Sequence, residues 1–303
     1  MPHVTFFHGI QNKPPAEALH QRWLRDLATG GFDLGGEGVT SAMVYWADVL
    51  YGAPLNPLAP TTESTADTNV ADTDGDLPGA PFASAEERAF VEGLSAKLDL
   101  AADDARPPGP PADPALERVP LPWWVKRRVL RALVRDAHHY LFDVEHEPRP
   151  GTRYRVRAEI RRRALDAFRR APGDGPHVVV GHSLGSVIAY DVLKRADGCP
   201  PVDALLTLGS PLGIDEVQDR LQPEWTRPDG FPSGTVRDRW VNVSDPLDVV
   251  CLLDPTLSGD FRRAGAAVVE DLAVSNDGPS RHAFGAYARQ PVLVGRLADL
   301  LGT

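Results

Sequence analysis

The stretch His177-Val178-Val179-Val180-Gly181-His182-Ser183-Leu184-Gly185-Ser186-Val187-Ile188 decides the fold. His177 to Val180 is a continuous β-branched run with no polar alternation, as in a strand buried on both faces. Ser183 to Lys194 has helical spacing. Between the two lies Gly181-His182-Ser183-Leu184-Gly185. This is the G-x-S-x-G pattern in the strand-to-helix context that gives it mechanical meaning. So sharp a turn strains the central residue and lifts its side chain clear of the sheet. Flanking glycines, here Gly181 and Gly185, let neighbouring backbone come close. The N-terminus of the following helix favours negative charge developing nearby. Ser183 is thus a candidate nucleophile. The bland alternative is a plain strand–turn–helix with small residues at the crossing.

Outward from this stretch, further elements alternate. Val4 to Phe7 reads as a buried strand ending in the tight turn His8-Gly9, and residues 15–29 as a helix stopped by Gly30-Gly31. Strands follow at Val39–Trp46, Ala204–Leu208, Arg239–Val243 and Ala267–Val274, and a closing helix spans 283–301. Residues 152–170 read as one basic amphipathic helix with Val156, Ile160, Leu165 and Phe168 facing inward. Apolar strands alternating with helices predict an α/β fold, a doubly wound, mostly parallel sheet of about six strands. From about Pro54 the chain turns rich in proline, threonine and aspartate, and 60–80 is expected to be disordered. Helical spacing returns at 84–100 and 122–142. The expected organisation is a core of 1–50 and 151–303 with a helical and irregular, lid-like insertion at 51–150.

Of 303 residues, 32 are basic and 42 acidic, a formal charge of −10 that disfavours a dedicated nucleic-acid binder. The charge is uneven: −10 over residues 56–117 (3 basic, 13 acidic) and +9 over 118–170 (15 basic, 6 acidic), which suggests that the two segments attract. Two cysteines, Cys199 and Cys251, imply no disulfide framework. No basic segment leads into a long apolar stretch, and no apolar run approaches ~20 residues. The expectation is a cytoplasmic protein without an integral membrane segment.

A serine needs a base, and the base needs an orienting group. In sites of this kind the chain order is serine, acid, histidine. Two carboxylates follow the strand at Trp240–Val243, namely Asp245 and Asp248. Asp248 is the preferred acid, with Asp245 stabilising the loop; either could instead make an Asx turn beside Pro246. Beyond them stands one histidine, His282, the candidate base. The N–H of Leu184 supplies one oxyanion donor, and that of Ile10, in His8-Gly9-Ile10, a second. Gly9 permits close approach, and His8, preceding the serine, reads as a ring that holds the loop.

Together, His8-Gly9 after the first strand, Gly181–Gly185, the Leu208-Gly209-Ser210-Pro211-Leu212 segment, Asp248 and His282 resemble the α/β-hydrolase superfamily, in its bacterial esterase and lipase branch. The resemblance covers about 1–50 and 151–303. It implies a Ser183–His282–Asp248 triad working through an acyl-enzyme, without a cofactor, on a small-molecule ester or lipid-like substrate. Acyl transfer, thioester cleavage and non-catalytic binding of a hydrophobic ligand or protein are alternatives. Two departures stand out: the first two strands of the usual fold are absent, and the large insertion precedes the elbow.

Other signals are weaker. Asp72-Thr73-Asp74-Gly75-Asp76 hints at calcium, but its glycine comes too early. His138, His139, Asp143 and His146 read as a solvated helix end in preference to a metal cluster. Trp123 and Trp124 open a basic helix, read as packing on the core, with weak membrane-surface contact as the alternative.

Overall fold

The computed structural model describes residues 1–56, 77–78, 82–98, 123–251, 253–278 and 280–303, with backbone alone for 123–126. The Asp72–Asp76 run, nearly all of 60–80, and the Trp123 and Trp124 side chains lie outside the described residues. The chain forms an α/β fold around a six-stranded sheet in which every neighbouring pair is parallel. In chain order the elements are β1 (His3–Phe7), α1 (Ala16–Thr29), β2 (Thr40–Val44), α2 (Ala47–Leu50), α3 (Ala85–Lys97) and α4 (Trp123–Leu141). Then come β3 (Glu145–Arg149), β4 (Thr152–Arg155), α5 (Val156–Arg170), β5 (His177–His182), α6 (Leu184–Arg195) and β6 (Val202–Leu208). Last are α7 (Asp215–Asp219), β7 (Val236–Ser244), β8 (Val269–Ala273), α8 (Phe284–Ala288) and α9 (Pro291–Leu301).

The sheet order is β2-β1-β5-β6-β7-β8. The chain moves outward from β1 in one direction, returns, and continues from β5 in the other. In open α/β sheets such a reversal leaves a crevice beyond the carboxyl ends of the two strands, where ligands bind. Here it falls between β1 and β5, which pair from His3↔His177 to Phe7↔Gly181. The loop after β1 begins at His8, and the turn after β5 carries Ser183.

Successive strand residues point to opposite faces, and both faces are covered. Phe7, Val179, Leu205 and Trp240 join a cluster with residues of α3, α4, α5 and α6. Val4, Phe6, Val178, Val180, Leu206 and Val241 join the other, with α1, α8 and α9. There Trp23 of α1 stacks on Phe284 of α8, with ring centroids 3.7 Å apart.

Helix α4 lies within the expected insertion, yet its Leu130, Leu133, Val134, Ala137 and Tyr140 sit in the same cluster as α5 and α6. The fully buried Asp191 of α6 ties the three helices together. It accepts bonds from Tyr140 Oη at 2.6 Å, from Arg161 Nε and Nη2 at 2.7 Å each, and from Arg195 Nη1 at 3.0 Å. Several arginines of the basic segment thus spend their charge on core carboxylates: Arg163 of α5 likewise pairs with Asp48 at 2.5 Å. From the acidic segment, Glu86 pairs with Arg220.

Three local expectations need correction. Residues 152–170 are not one helix. Thr152–Arg155 is the second strand of an antiparallel hairpin with Glu145–Arg149, and α5 starts at Val156. Polar residues on both faces hid this hairpin. Its turn rests on Gly151 at φ 77°, and Arg153 bridges Glu145 and Glu147 across it. The closing helix is broken at Gln290, which is extended (φ −78°, ψ 121°) because the residue before a proline is driven out of helical geometry. His138 is not solvated: α3 packs on α4, and Glu87 Oε1 meets His138 Nε2 at 2.6 Å with His138 5% exposed.

Among the described residues no helix is long and apolar enough to cross a membrane, and no group of three or more His, Cys, Asp or Glu is placed to hold a metal ion. Cys199 and Cys251 are free thiols.

Candidate active site

Ser183 lies outside the helix it introduces, at φ 55° and ψ −134°. A non-glycine residue persists there only if its surroundings overdetermine it. They do so from three sides. Ser183 N–H donates to Leu208 O at 2.9 Å, tying the elbow to β6. Its carbonyl accepts from Ser186 N at 2.9 Å, and Ser186 Oγ lies 2.5 Å from the same oxygen and 2.6 Å from Ser210 Oγ. The glycines close the packing: a Cβ on Gly181 would lie 2.6 Å from Ser186 Cα, and one on Gly185 2.4 Å from the carbonyl oxygens of Phe7 and His8. Gly9 is as constrained, since a Cβ there would meet Ser183 Cβ at 2.8 Å and Ser183 Oγ at 3.2 Å. The loop after β1 therefore rests directly on Ser183.

Of the two carboxylates after β7, the structure brings Asp248 to His282. Asp248 is fully buried, with Oδ2 2.8 Å from His282 Nδ1. It also accepts from Tyr287 Oη at 2.6 Å and from Val250 N at 2.9 Å. Burial pushes its carboxyl pKa upward, but His282, Tyr287 and the Val250 N–H outweigh that and hold it below the ordinary value. Tyr287 is correspondingly pushed well above the usual tyrosine range by burial and by the Asp248 charge.

Asp245 turns to other partners. Its Oδ1 accepts from Leu247 N at 2.8 Å, and its Oδ2 from Asn276 N at 2.8 Å and Arg281 Nη1 at 2.9 Å. Asn276 Nδ2 in turn donates to Arg281 O at 2.6 Å, and Gln290 Nε2 to Asn276 Oδ1 at 2.9 Å. Asp245 thus knits its own loop to the loop that carries His282.

Four contributors were not singled out from sequence. Tyr287 follows His282 by five residues but sits in an apolar helix, where an aromatic reads as core. His182, the variable residue before Ser183, meets His282 O through Nε2 at 2.6 Å, and the two rings lie 4.8 Å apart. Gly209, at φ 53°, lies where a Cβ would stand 2.6 Å from Asp248 Oδ2, so only glycine leaves room for the acid. Trp46 fixes His8: its backbone N–H donates to His8 Nε2 at 3.0 Å, its indole Nε1–H to His8 O at 3.0 Å, and the rings stack at 4.6 Å. With Nε2 accepting, His8 Nδ1 carries the proton and donates to Gly9 O at 2.9 Å. His8 is therefore a holder of the loop and carries a fixed tautomer.

Ser183 Oγ and His282 Nε2 are both buried, and neither has a hydrogen-bond partner among the described residues. These are the two atoms that a nucleophile and its base would join, a bond that commonly tightens only with substrate bound. Leu184 opens α6, and the first N–H groups of a helix have no partner within it. Between the β1 loop and α4 lies a cavity of about 940 Å³, walled by Leu50, Tyr51, Phe82, Arg135, Asp136, His139 and His146, among others. Asn12 of the β1 loop also lines it, whereas Ser183 and His282 do not. Compared with known proteins, the chain matches no family model and no curated protein.

Proposed function

We propose that the chain is a serine-dependent carboxylic ester hydrolase of the α/β-hydrolase type. One observation carries the reading: a strained Ser183 at the crevice between β1 and β5, beside a buried Asp248–His282 pair bonded at 2.8 Å. In this reading residues 1–50 and 151–303 are the hydrolase core. Helices α3 and α4, from the 51–150 stretch, pack in the same apolar cluster as α6, the helix that Ser183 introduces.

The geometry supports the following sequence of steps. His282 Nδ1–H is held by Asp248, which leaves Nε2 with a lone pair. Nε2 takes the Ser183 hydroxyl proton as Oγ attacks the ester carbonyl. The carbonyl oxygen becomes an oxyanion, met by the N–H groups of Leu184 and Ile10; each such donor is worth about 3 kcal/mol in related chemistry. His282 then gives its proton to the leaving alcohol, and an acyl-Ser183 remains. Water, deprotonated by His282, attacks the acyl carbonyl; the acyl–Oγ bond then breaks as His282 returns that proton to Ser183 Oγ, and the acid leaves. Burial of Ser183 means that the cover over it opens before an ester enters. An acceptor other than water at the second step would make the same site an acyltransferase.

The test is labelling of Ser183 by a small organophosphonate together with turnover of a nitrophenyl ester panel. Both are expected in the wild type and absent in Ser183→Ala. A wild type that neither labels nor turns over would leave the second reading, a non-catalytic binding protein on the same fold. Full burial of Ser183 favours that alternative.

A further inference from the structure

The loop that would supply the Ile10 N–H is gripped by two buried opposite charges, and one of them comes from helix α4. The peptide joining Ile10 to Gln11 is bound at both poles. Its carbonyl, Ile10 O, accepts from Lys13 Nζ at 2.5 Å, and its N–H, on Gln11, donates to Asp136 Oδ2 at 2.8 Å. Lys13 is 1% exposed and Asp136 is fully buried. A cation on the oxygen and an anion on the N–H align with the dipole of that peptide, so both oppose its rotation. The grip is needed because Gln11 stands at φ 71°, in the left-handed region that a residue with a side chain avoids. Asp136 is itself locked: Tyr51 Oη reaches Oδ1 at 3.1 Å and Oδ2 at 3.0 Å, and Arg135 Nε reaches Oδ1 at 3.1 Å.

The preceding peptide, from Gly9 to Ile10, has its carbonyl turned onto His8 Nδ1 at 2.9 Å. In a trans peptide the carbonyl and the N–H point in opposite directions. The Ile10 N–H therefore faces away from the His8 ring, with its direction set by His8 on one side and by the Ile10–Gln11 peptide on the other. We propose that Asp136 and Lys13 are positioning residues for the second oxyanion donor: as a charged clamp on the Ile10–Gln11 peptide they fix the direction of the Ile10 N–H. Helix α4 thereby becomes a working part of the site, although neither residue touches the ester.

This rests on the hydrolase reading, and the experiment separates the two. Wild type, Asp136→Leu, Asp136→Asn, Lys13→Met and Lys13→Gln are assayed with one nitrophenyl ester and with a trifluoromethyl ketone, whose adduct places an oxyanion in the same hole. Phosphonate labelling and thermal unfolding are followed in parallel. Failure of the wild type to label or turn over defeats the hydrolase reading and the clamp with it. Given an active wild type, Asp136→Leu and Lys13→Met are expected to lower kcat by about 10- to 100-fold, short of the ~10²–10³ for losing a donor outright. KM should move less than about twofold, and ketone affinity should fall in step with kcat. Asp136→Asn, which keeps one acceptor oxygen, should lose less than Asp136→Leu. A kcat within twofold of wild type in the folded variants overturns the clamp, even if they melt earlier. So does a fallen kcat with unchanged ketone affinity. Where Asp136→Leu or Lys13→Met yields no folded protein, Asp136→Asn and Lys13→Gln carry the same comparison.

Discussion

The loops after β7 and after β1 both reach the crevice, but they are held in opposite ways. The β7 loop brings its own anchors. Asp245 and Asp248 bond to Leu247, Val250, Asn276, Arg281, His282 and Tyr287, all close in the final third of the chain. The β1 loop depends on a carboxylate 125 positions away. The first loop is stabilised as soon as the C-terminal part packs. The second combines near anchors, Lys13 and Trp46, with this distant one from α4.

The largest expected effect tests the division of labour within the β7 loop. Asp248→Asn leaves the shape but removes the charge that orients and stabilises His282, and kcat should fall by about 10⁴-fold. Asp245→Asn should retain most of the wild-type kcat. A larger loss at 245 than at 248, in the same ester assay, would reverse the roles.

Next comes stability. Asp245→Ala strands Arg281, whose side chain is 17% exposed, and should cost about 3–5 kcal/mol in denaturant unfolding. The double variant Asp245→Ala/Arg281→Met should recover part of that loss. No recovery would mean that the backbone bond to Asn276 matters more than the ion pair.

Acid should undo the two sides in different windows. Burial lowers His139 of α4 and His177 of β5 to about 4. Unfolded histidine takes up its proton near pH 6.5, whereas the folded rings resist. Each ring therefore costs stability as the pH drops from about 6.5 to about 4, up to about 3 kcal/mol apiece. Asp248 acts in the same direction but in a lower window: its depressed folded pKa contributes stability above about 3.9, lost only as the pH falls through the folded value. Unfolding at pH 7, 5 and 4 should show the first loss, and His139→Leu should flatten it. An unchanged slope in that variant would count against burial of His139 as the cause.

The smallest effect sharpens the local network. Tyr287→Phe removes the 2.6 Å bond to Asp248 and should cost about 1.5 kcal/mol, the lower end for a hydrogen bond to a charged group. Denaturant unfolding of the variant checks it, and no measurable loss would mean that the bond contributes little to stability.

This contrast also explains what was legible in the sequence. The β5–turn–α6 unit and the parallel sheet covered on both faces are written in short segments, so periodicity and spacing revealed them. Asp248 could be preferred over Asp245 from its place in the loop. Asp136, Glu87 and Tyr287 could not be assigned, because their roles are defined by partners that only the fold brings near. The Glu145–Arg155 hairpin escaped notice for another reason. Of its residues only Tyr154 packs against the apolar cluster, so it has no hydrophobic period to read.

The buried thiol behind the acid gives the β7 loop a built-in clock. Cys251 is 1% exposed, packed 3.6 Å from Asp245 O and 4.0 Å from Tyr287 Oη, and burial drives its thiol well above the ordinary value. A disulfide reagent can reach it only in molecules whose loop has opened, so the slow phase of thiol modification counts those openings. Cys199, only partly buried and pushed up to about 12, times a different region of the same molecule. Comparing the two rates in Asp245→Ala and in wild type would convert a static hydrogen-bond network into an opening frequency.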